Sequence, residues 1–250
     1  MKNKFFAVFL FLSLFLAASR AFAEEDLFKE ANVSYQVGDY KKAISLYKKI
    51  ITSKKATANV YYNLGNASFR DGNRGEALAA YERAHALDPR DRDVEWNKSI
   101  LKNALPDRIE DAEDNVFLSS IERLLEWVTV DEITILLGLI LAGLFVISLL
   151  NFIFHKSKPF TAGLGGFFIF LLILNSIIFY FKWLEVKDPR VVVLDKEVSA
   201  RYGPSDKETK AFVLHEGAEA RVTDETGDWY YILLKNKNIG WIPKKSCEIL

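Results

Sequence analysis

The residues able to do chemistry are few and lie far apart. The three histidines, His85, His155 and His215, fall on three separate segments, and no pair of them has metal-ligand spacing. Cys247 is the single cysteine, so it can neither close a disulfide within the chain nor build a zinc site. It reads as a small apolar residue near the end of a strand. Asp111 and Glu113 form a carboxylate pair, but they sit in a solvated acidic run with Glu110 and Asp114. No phosphate-binding loop and no GxSxG turn occur. The expectation is a protein without catalytic residues, metal or cofactor.

The chemistry that remains is recognition, and a repeat positions it. Ala31-Asn32, Tyr35, Gly38, Ala43 and Tyr47 recur 34 residues later as Gly65-Asn66, Phe69, Gly72, Ala77 and Tyr81, and Tyr62-Asn63 recurs as Trp96-Asn97. Small residues, aromatics and a closing proline at this period are the signature of tetratricopeptide helix pairs, which stack into a curved surface that holds other proteins. Helices are predicted over 59–71, 73–87 and 91–103, with Gly72 in the turn and Asp88-Pro89 ending the second. The resemblance to tetratricopeptide repeats covers about 80 residues, 24–104. In that family the first helix of each pair builds the concave face. By period this face carries Phe28, Asn32, Tyr35, Gln36, Tyr62, Asn66, Phe69, Arg70 and Trp96. Asparagine amides pair with an extended peptide backbone, and aromatics add contact area at low entropic cost. The alternative is that the aromatics are repeat-to-repeat core and the asparagines cap turns.

Composition places these repeats beside a membrane. Lys+Arg and Asp+Glu both number 33, so the formal net charge is zero and the basic face of nucleic-acid binders is missing. Residues 1–23 read as an export signal: Lys2 and Lys4, an apolar run from Phe5 to Ala18, then Ala21-Phe22-Ala23 as a cleavage site. An uncleaved anchor is the alternative. Ile133 to Phe154 and Pro159 to Phe181 contain no charged residue over 22 and 23 positions. At 1.5 Å per residue each reaches roughly 33 Å, enough for a hydrocarbon core of about 30 Å. We read a two-helix hairpin, 130–154 and 159–183, around a basic turn at 155–158. The turn predicts a cytoplasmic bend, and an exported N-terminus places both soluble parts on the opposite side. Trp127 and Trp183 are expected as interfacial anchors. Gly163, Gly165 and Gly166 are expected where the two helices approach closely. Residues 105–129 read as a linker with an amphipathic helix through Phe117, Leu118, Ile121, Leu124, Leu125 and Val128.

From Val191 the pattern becomes β. Strands are expected at 191–194, 197–200, 218–222, 229–234 and 240–242. Arg201-Tyr202-Gly203-Pro204, Glu216-Gly217, Gly227-Asp228-Trp229-Tyr230 and Gly240-Trp241 stand in an order that closely resembles bacterial SH3-type domains over 188–250. The resemblance implies a small all-β barrel. Trp229, Trp241, Tyr231, Val213 and Ile232 would supply much of its core. Tyr202, Trp229, Tyr230 and Trp241 would alternatively line a ligand groove. The fold expectation is therefore a multidomain membrane protein: tetratricopeptide solenoid, transmembrane hairpin, SH3-type barrel. This whole arrangement resembles the E-type member of the bacterial aerotolerance (Bat) operon family. The resemblance implies a non-enzymatic inner-membrane protein with both soluble domains periplasmic. It also implies partners among periplasmic or inner-membrane proteins, including von Willebrand A-domain proteins and an AAA-type ATPase system. Peptidoglycan is the alternative partner of the barrel.

Overall fold

A computed structural model of the chain describes residues 26–53, 56–107, 125, 127–153, 158–187 and 189–250. The expected export signal at 1–23, residues 155–157 of the turn expected at 155–158, and most of the linker, including Phe117, Leu118, Ile121 and Leu124, lie outside them.

The repeats form five helices: α1 over 26–36, α2 Tyr40–Thr52, α3 Ala58–Arg70, α4 Arg74–Leu87 and α5 Arg92–Asn103. Each turn between paired helices passes through a glycine in the left-handed region, Gly38 at φ +83° and Gly72 at +86°, where a side chain would be strained. The pairs close tightly because a large ring covers a small residue. Tyr81 lies across Gly65, where an added Cβ would be 2.5 Å from the ring. Tyr47 and Ala31 are the same pair one repeat earlier, and both are buried. Asp91 starts α5 by accepting from the backbone N–H groups of Asp93 and Val94.

Two long helices follow, α6 Val130–Ile153 and α7 Lys158–Lys187. Both are long and apolar enough to cross a membrane: the most apolar 18-residue windows within Val130–Ile153 and Thr161–Leu184 have mean hydropathy of 2.8 and 2.3. Only 17% and 6% of their most apolar windows are buried, so they are not the core helices of a globular domain. Thr129 and Glu132 cap α6 reciprocally: Glu132 N–H donates to Thr129 Oγ1 at 3.2 Å, and Thr129 N–H donates to Glu132 Oε2 at 3.0 Å. The helices meet at Gly143, where a Cβ would strike the Phe168 ring. Asn175 is buried between them and donates from Nδ2 to the Ile133 carbonyl at 3.2 Å. The expected contact glycines are corrected here. A Cβ on Gly163, Gly165 or Gly166 would meet nothing within 4 Å among the described residues. Sequence placed small residues on α7, whereas the close approach uses Gly143 on α6.

The C-terminal region has seven strands: β1 Arg190–Val193, β2 Glu197–Arg201, β3 Lys210–His215, β4 Glu219–Thr226, β5 Trp229–Leu233, β6 Ile239–Pro243 and β7 Cys247–Ile249. They form one antiparallel sheet in the order β3-β2-β6-β5-β4-β1-β7. The sheet is not closed: β3 and β7 are its edges. Strands β3 and β7 were not expected. The expected aromatic core is also corrected. The core is aliphatic, built from Val191, Val193, Val198, Ala200, Leu214, Val222, Leu234 and Ile242 with Ile232. Trp229, Tyr231 and Trp241 are half-buried and Val213 is exposed, because they occupy the alternate positions of their strands.

Repeats and sheet are packed together. Val191-Val192-Val193 is buried at every position. Val191 and Val193 face the sheet core, and Val192 enters a second core with Ala77, Leu78, Tyr81 and Leu101 from the repeats. Gly75 lies so close to the sheet that a Cβ would strike the Val193 carbonyl oxygen, and its N–H donates to Glu216 Oε1 at 3.1 Å. Lys196 pairs with Glu216 and donates to the Gly72 carbonyl at 2.9 Å. Arg83 pairs with Glu248 at 2.8 Å, and Lys102 with Glu219 at 2.9 Å. Asp107 accepts from the backbone N–H of His215 at 2.7 Å and meets its Nδ1 at 2.8 Å.

Candidate functional site

The asparagine ladder is the centre of the first-helix face. Tyr47 Oη donates to Asn32 Oδ1 at 2.6 Å, and Asn63 Nδ2 donates to the same oxygen at 3.3 Å. One repeat on, Tyr81 Oη donates to Asn66 Oδ1 at 2.7 Å, and Asn97 Nδ2 donates to the same oxygen at 3.0 Å. Asn97 Nδ2 also donates to Tyr62 Oη at 3.1 Å. Asn32, Tyr47 and Asn63 each stand 34 residues before Asn66, Tyr81 and Asn97, whereas the place 34 residues before Tyr62 is held by Phe28, which has no hydroxyl. The bonds join the first helix of one repeat to its own second helix and to the first helix of the next. Burial pushes the Tyr47 hydroxyl up to about 12, with Tyr35 adding to the shift, and it raises Tyr81 as well. Both hydroxyls therefore stay protonated as donors.

This geometry divides the predicted binding residues. The carbonyl oxygens of Asn32 and Asn66 are committed within the protein. Phe28 packs edge-on against Tyr47 and Tyr35 against Tyr40, with centroids 6.1 and 5.5 Å apart. Tyr62 lies 6.1 Å from Tyr81. These three are half-buried. Gln36, Phe69, Arg70 and Trp96 remain exposed, Trp96 at 67%. Arg70 is held over the Tyr40 ring at 5.5 Å and donates from Nε to Tyr40 Oη at 3.1 Å. The exposed residues, two aromatics, one amide and one cation, form a rim beside the internal ladder.

The predicted groove residues of the sheet divide by face. Trp229 and Trp241 lie on the outer face, where Trp241 and Tyr231 are paired across β5 and β6 with centroids 4.9 Å apart. Tyr230 is on the opposite, core-facing side, and Lys244 Nζ sits 4.8 Å over its ring. Tyr202 follows β2 and is 71% exposed. Tyr231 was expected in the core; it is instead the partner that completes the outer aromatic pair. The alternation Trp229-Tyr230-Tyr231 carries that signal.

The Cys247 thiol is not activated, and the two described histidines, His85 and His215, each meet a carboxylate, Glu95 and Asp107. Burial, with Asp195, pushes the Cys247 thiol up to about 12, and the thiol contacts the Pro243 and Lys244 carbonyls. Among the described residues no three His, Cys, Asp or Glu side chains are grouped to hold a metal ion.

A tetratricopeptide repeat family model matches residues 58–91, which are α3, α4 and the Asp88-Pro89 stop. The chain carries a tetratricopeptide repeat. Among solved structures it is similar to the crystal structure of MamA, at 19% identity and a TM-score of 0.32, covering 64% of this chain and 80% of that one. No curated protein matches it.

Proposed function

We propose that the chain is a membrane-held adaptor whose first-helix face grips a protein partner. Tetratricopeptide repeats of this kind are protein-interaction scaffolds. The observation that carries the reading is the exposed rim of Gln36, Phe69, Arg70 and Trp96 beside an asparagine ladder whose Asn32 and Asn66 carbonyl oxygens are already taken within the protein. Large aromatics left in water next to a rigid surface are typical interaction anchors.

In the fuller form of the proposal the hairpin crosses the bacterial inner membrane and both soluble regions are periplasmic. The sheet is a relative of bacterial SH3-type domains, and the chain serves a cell-envelope complex of the aerotolerance type. Its partners would be von Willebrand A-domain proteins and an AAA-type ATPase system. The support is the order of the parts and the common end of the hairpin from which repeats and sheet both emerge. Co-purification of the tagged full chain in mild detergent tests it. Trp96→Ala with Phe69→Ala should release the bound partner while leaving thermal unfolding unchanged. Retention of every partner by that variant sinks the reading. A reporter fusion found on the cytoplasmic side would sink the periplasmic placement alone.

A second reading, peptidoglycan binding by the sheet, is favoured by the outer pair Tyr231 and Trp241 with exposed Tyr202. Sedimentation of the full chain with purified wall, with and without Trp241→Ala, separates the two.

A further inference from the structure

Arg70 closes α3 with its guanidinium laid on an aromatic shelf. Nε donates to Tyr40 Oη at 3.1 Å, and the cation lies 5.5 Å over the Tyr40 ring. Tyr35 braces that ring edge-on, with centroids 5.5 Å apart. The first repeat thus supplies the shelf and the second the cation. A guanidinium held this way has less freedom left to lose when it binds. Among the described residues no acceptor meets its two terminal nitrogens, Nη1 and Nη2. Asp71, the acid next to it in sequence, accepts instead from Asn73 Nδ2 at 2.9 Å. Arg83 and Arg90, by contrast, each hold a carboxylate, Glu248 at 2.8 Å and Glu132 at 2.7 Å. A positioned guanidinium fork with open nitrogens matches a carboxylate, which it takes through paired hydrogen bonds. The flanks narrow the ligand further. Phe69 beside Arg70 is exposed, and so are Trp96 and Ile100, one turn apart on α5. Each oxygen of Asn32 and Asn66 accepts two internal bonds, and a reversed amide would set N–H against N–H. Their Nδ2 groups therefore turn away from the ladder, where they suit the carbonyls of an extended backbone.

We propose that this face takes an acidic, extended segment of a partner protein, with an Asp or Glu carboxylate in the Arg70 fork and a large apolar side chain against Trp96 and Ile100. The inference rests on the reading of this face as the surface that grips a partner, and it adds what that partner must carry. Tyr40 acts as a positioning residue: it aims the fork without touching the ligand.

The test pans a phage library of random decapeptides on the tagged full chain in mild detergent. Retained peptides should be enriched in Asp or Glu near Leu, Phe or Trp. A synthetic peptide of the enriched sequence should bind Arg70→Gln about tenfold more weakly than the wild type. Arg70→Lys should restore part of that loss, since it keeps the charge without the fork, and Arg70→Glu should turn the enrichment toward Lys and Arg. One arm needs no protein variant: the same peptide with its acids changed to amides should bind the wild type about tenfold more weakly, and the difference should shrink as salt is raised. Enrichment of apolar peptides without acids, equal binding of the acidic and amide peptides, or equal affinity of the wild type and Arg70→Gln each overturn the carboxylate fork and leave the gripping face standing. Retention of no peptide beyond what Trp96→Ala with Phe69→Ala retains overturns the gripping face itself.

Discussion

Asn66 Oδ1 is the acceptor for two donors, Tyr81 Oη and Asn97 Nδ2. Asn66→Ala would leave a buried phenol and a half-buried amide without that acceptor, at a cost of about 1–3 kcal/mol. Tyr81→Phe removes the donor instead and leaves the oxygen to Asn97, so it should cost less, about 1 kcal/mol. Thermal unfolding of the detergent-solubilised chain measures both. An Asn66→Ala loss no larger than that of Tyr81→Phe would refute the ladder as a structural joint. The same residue shows how far a sequence can be read. The period of 34 exposed Asn32 and Asn66 as special. It did not reveal whether they serve a ligand or the protein, because Tyr47 and Tyr81 reach them from another helix.

Elements were legible where a pattern was local, and less so where it depended on a neighbour. Helices α3, α4 and α5 lie within one residue of expectation, since glycine turns, an N-cap and Asp88-Pro89 mark their ends. Strand β3 was missed because Lys210–His215 mixes exposed and buried positions without clean alternation. The double burial of β1 was written in three consecutive valines, and that of α4 in Ala77-Leu78-Ala79-Ala80. Neither run says what covers the second face. The contact glycine of the hairpin was misplaced for the same reason: close approach depends on what the other helix presents. Gly143→Val should therefore drive the helices apart at Phe168, at a cost of about 1–3 kcal/mol, while Gly163→Val should be tolerated. Cysteine cross-linking between α6 and α7 reports the difference. Equal behaviour of the two variants would contradict the packing.

At the scale of the whole molecule, repeats and sheet behave as one unit in two predictions. Gly75→Ala puts a methyl group against the Val193 carbonyl, and backbone cannot move aside as a side-chain tip can. Limited proteolysis should then cut between the repeats and the sheet in the variant sooner than in the wild type. The second concerns acid. Burial alone would raise the Glu82 carboxyl, but Lys102 and Lys98 outweigh it and hold the group down at about 2, against an ordinary 4.5. Unfolding lets Glu82 bind a proton more readily, so its contribution is complete above about pH 4.5 and is lost as pH falls toward 2. The wild type should lose stability across that window, and Glu82→Gln should show a flatter acid limb there, read from unfolding midpoints against pH. An unchanged acid limb in the variant would remove Glu82 from the account.

Two residues, Asp188 and Pro189, separate the end of α7 from the start of β1, and β1 is the strand wedged onto α4. Arg90, just past α4, holds Glu132 at the head of α6 through paired contacts of 2.7 and 3.1 Å. Among the described residues, the Arg90–Glu132 pair and the short step from α7 to β1 are the links that carry torque between hairpin and repeats. A load pulled sideways on the repeats would tilt the hairpin, and a twist of the hairpin would swing the repeats like a crank arm.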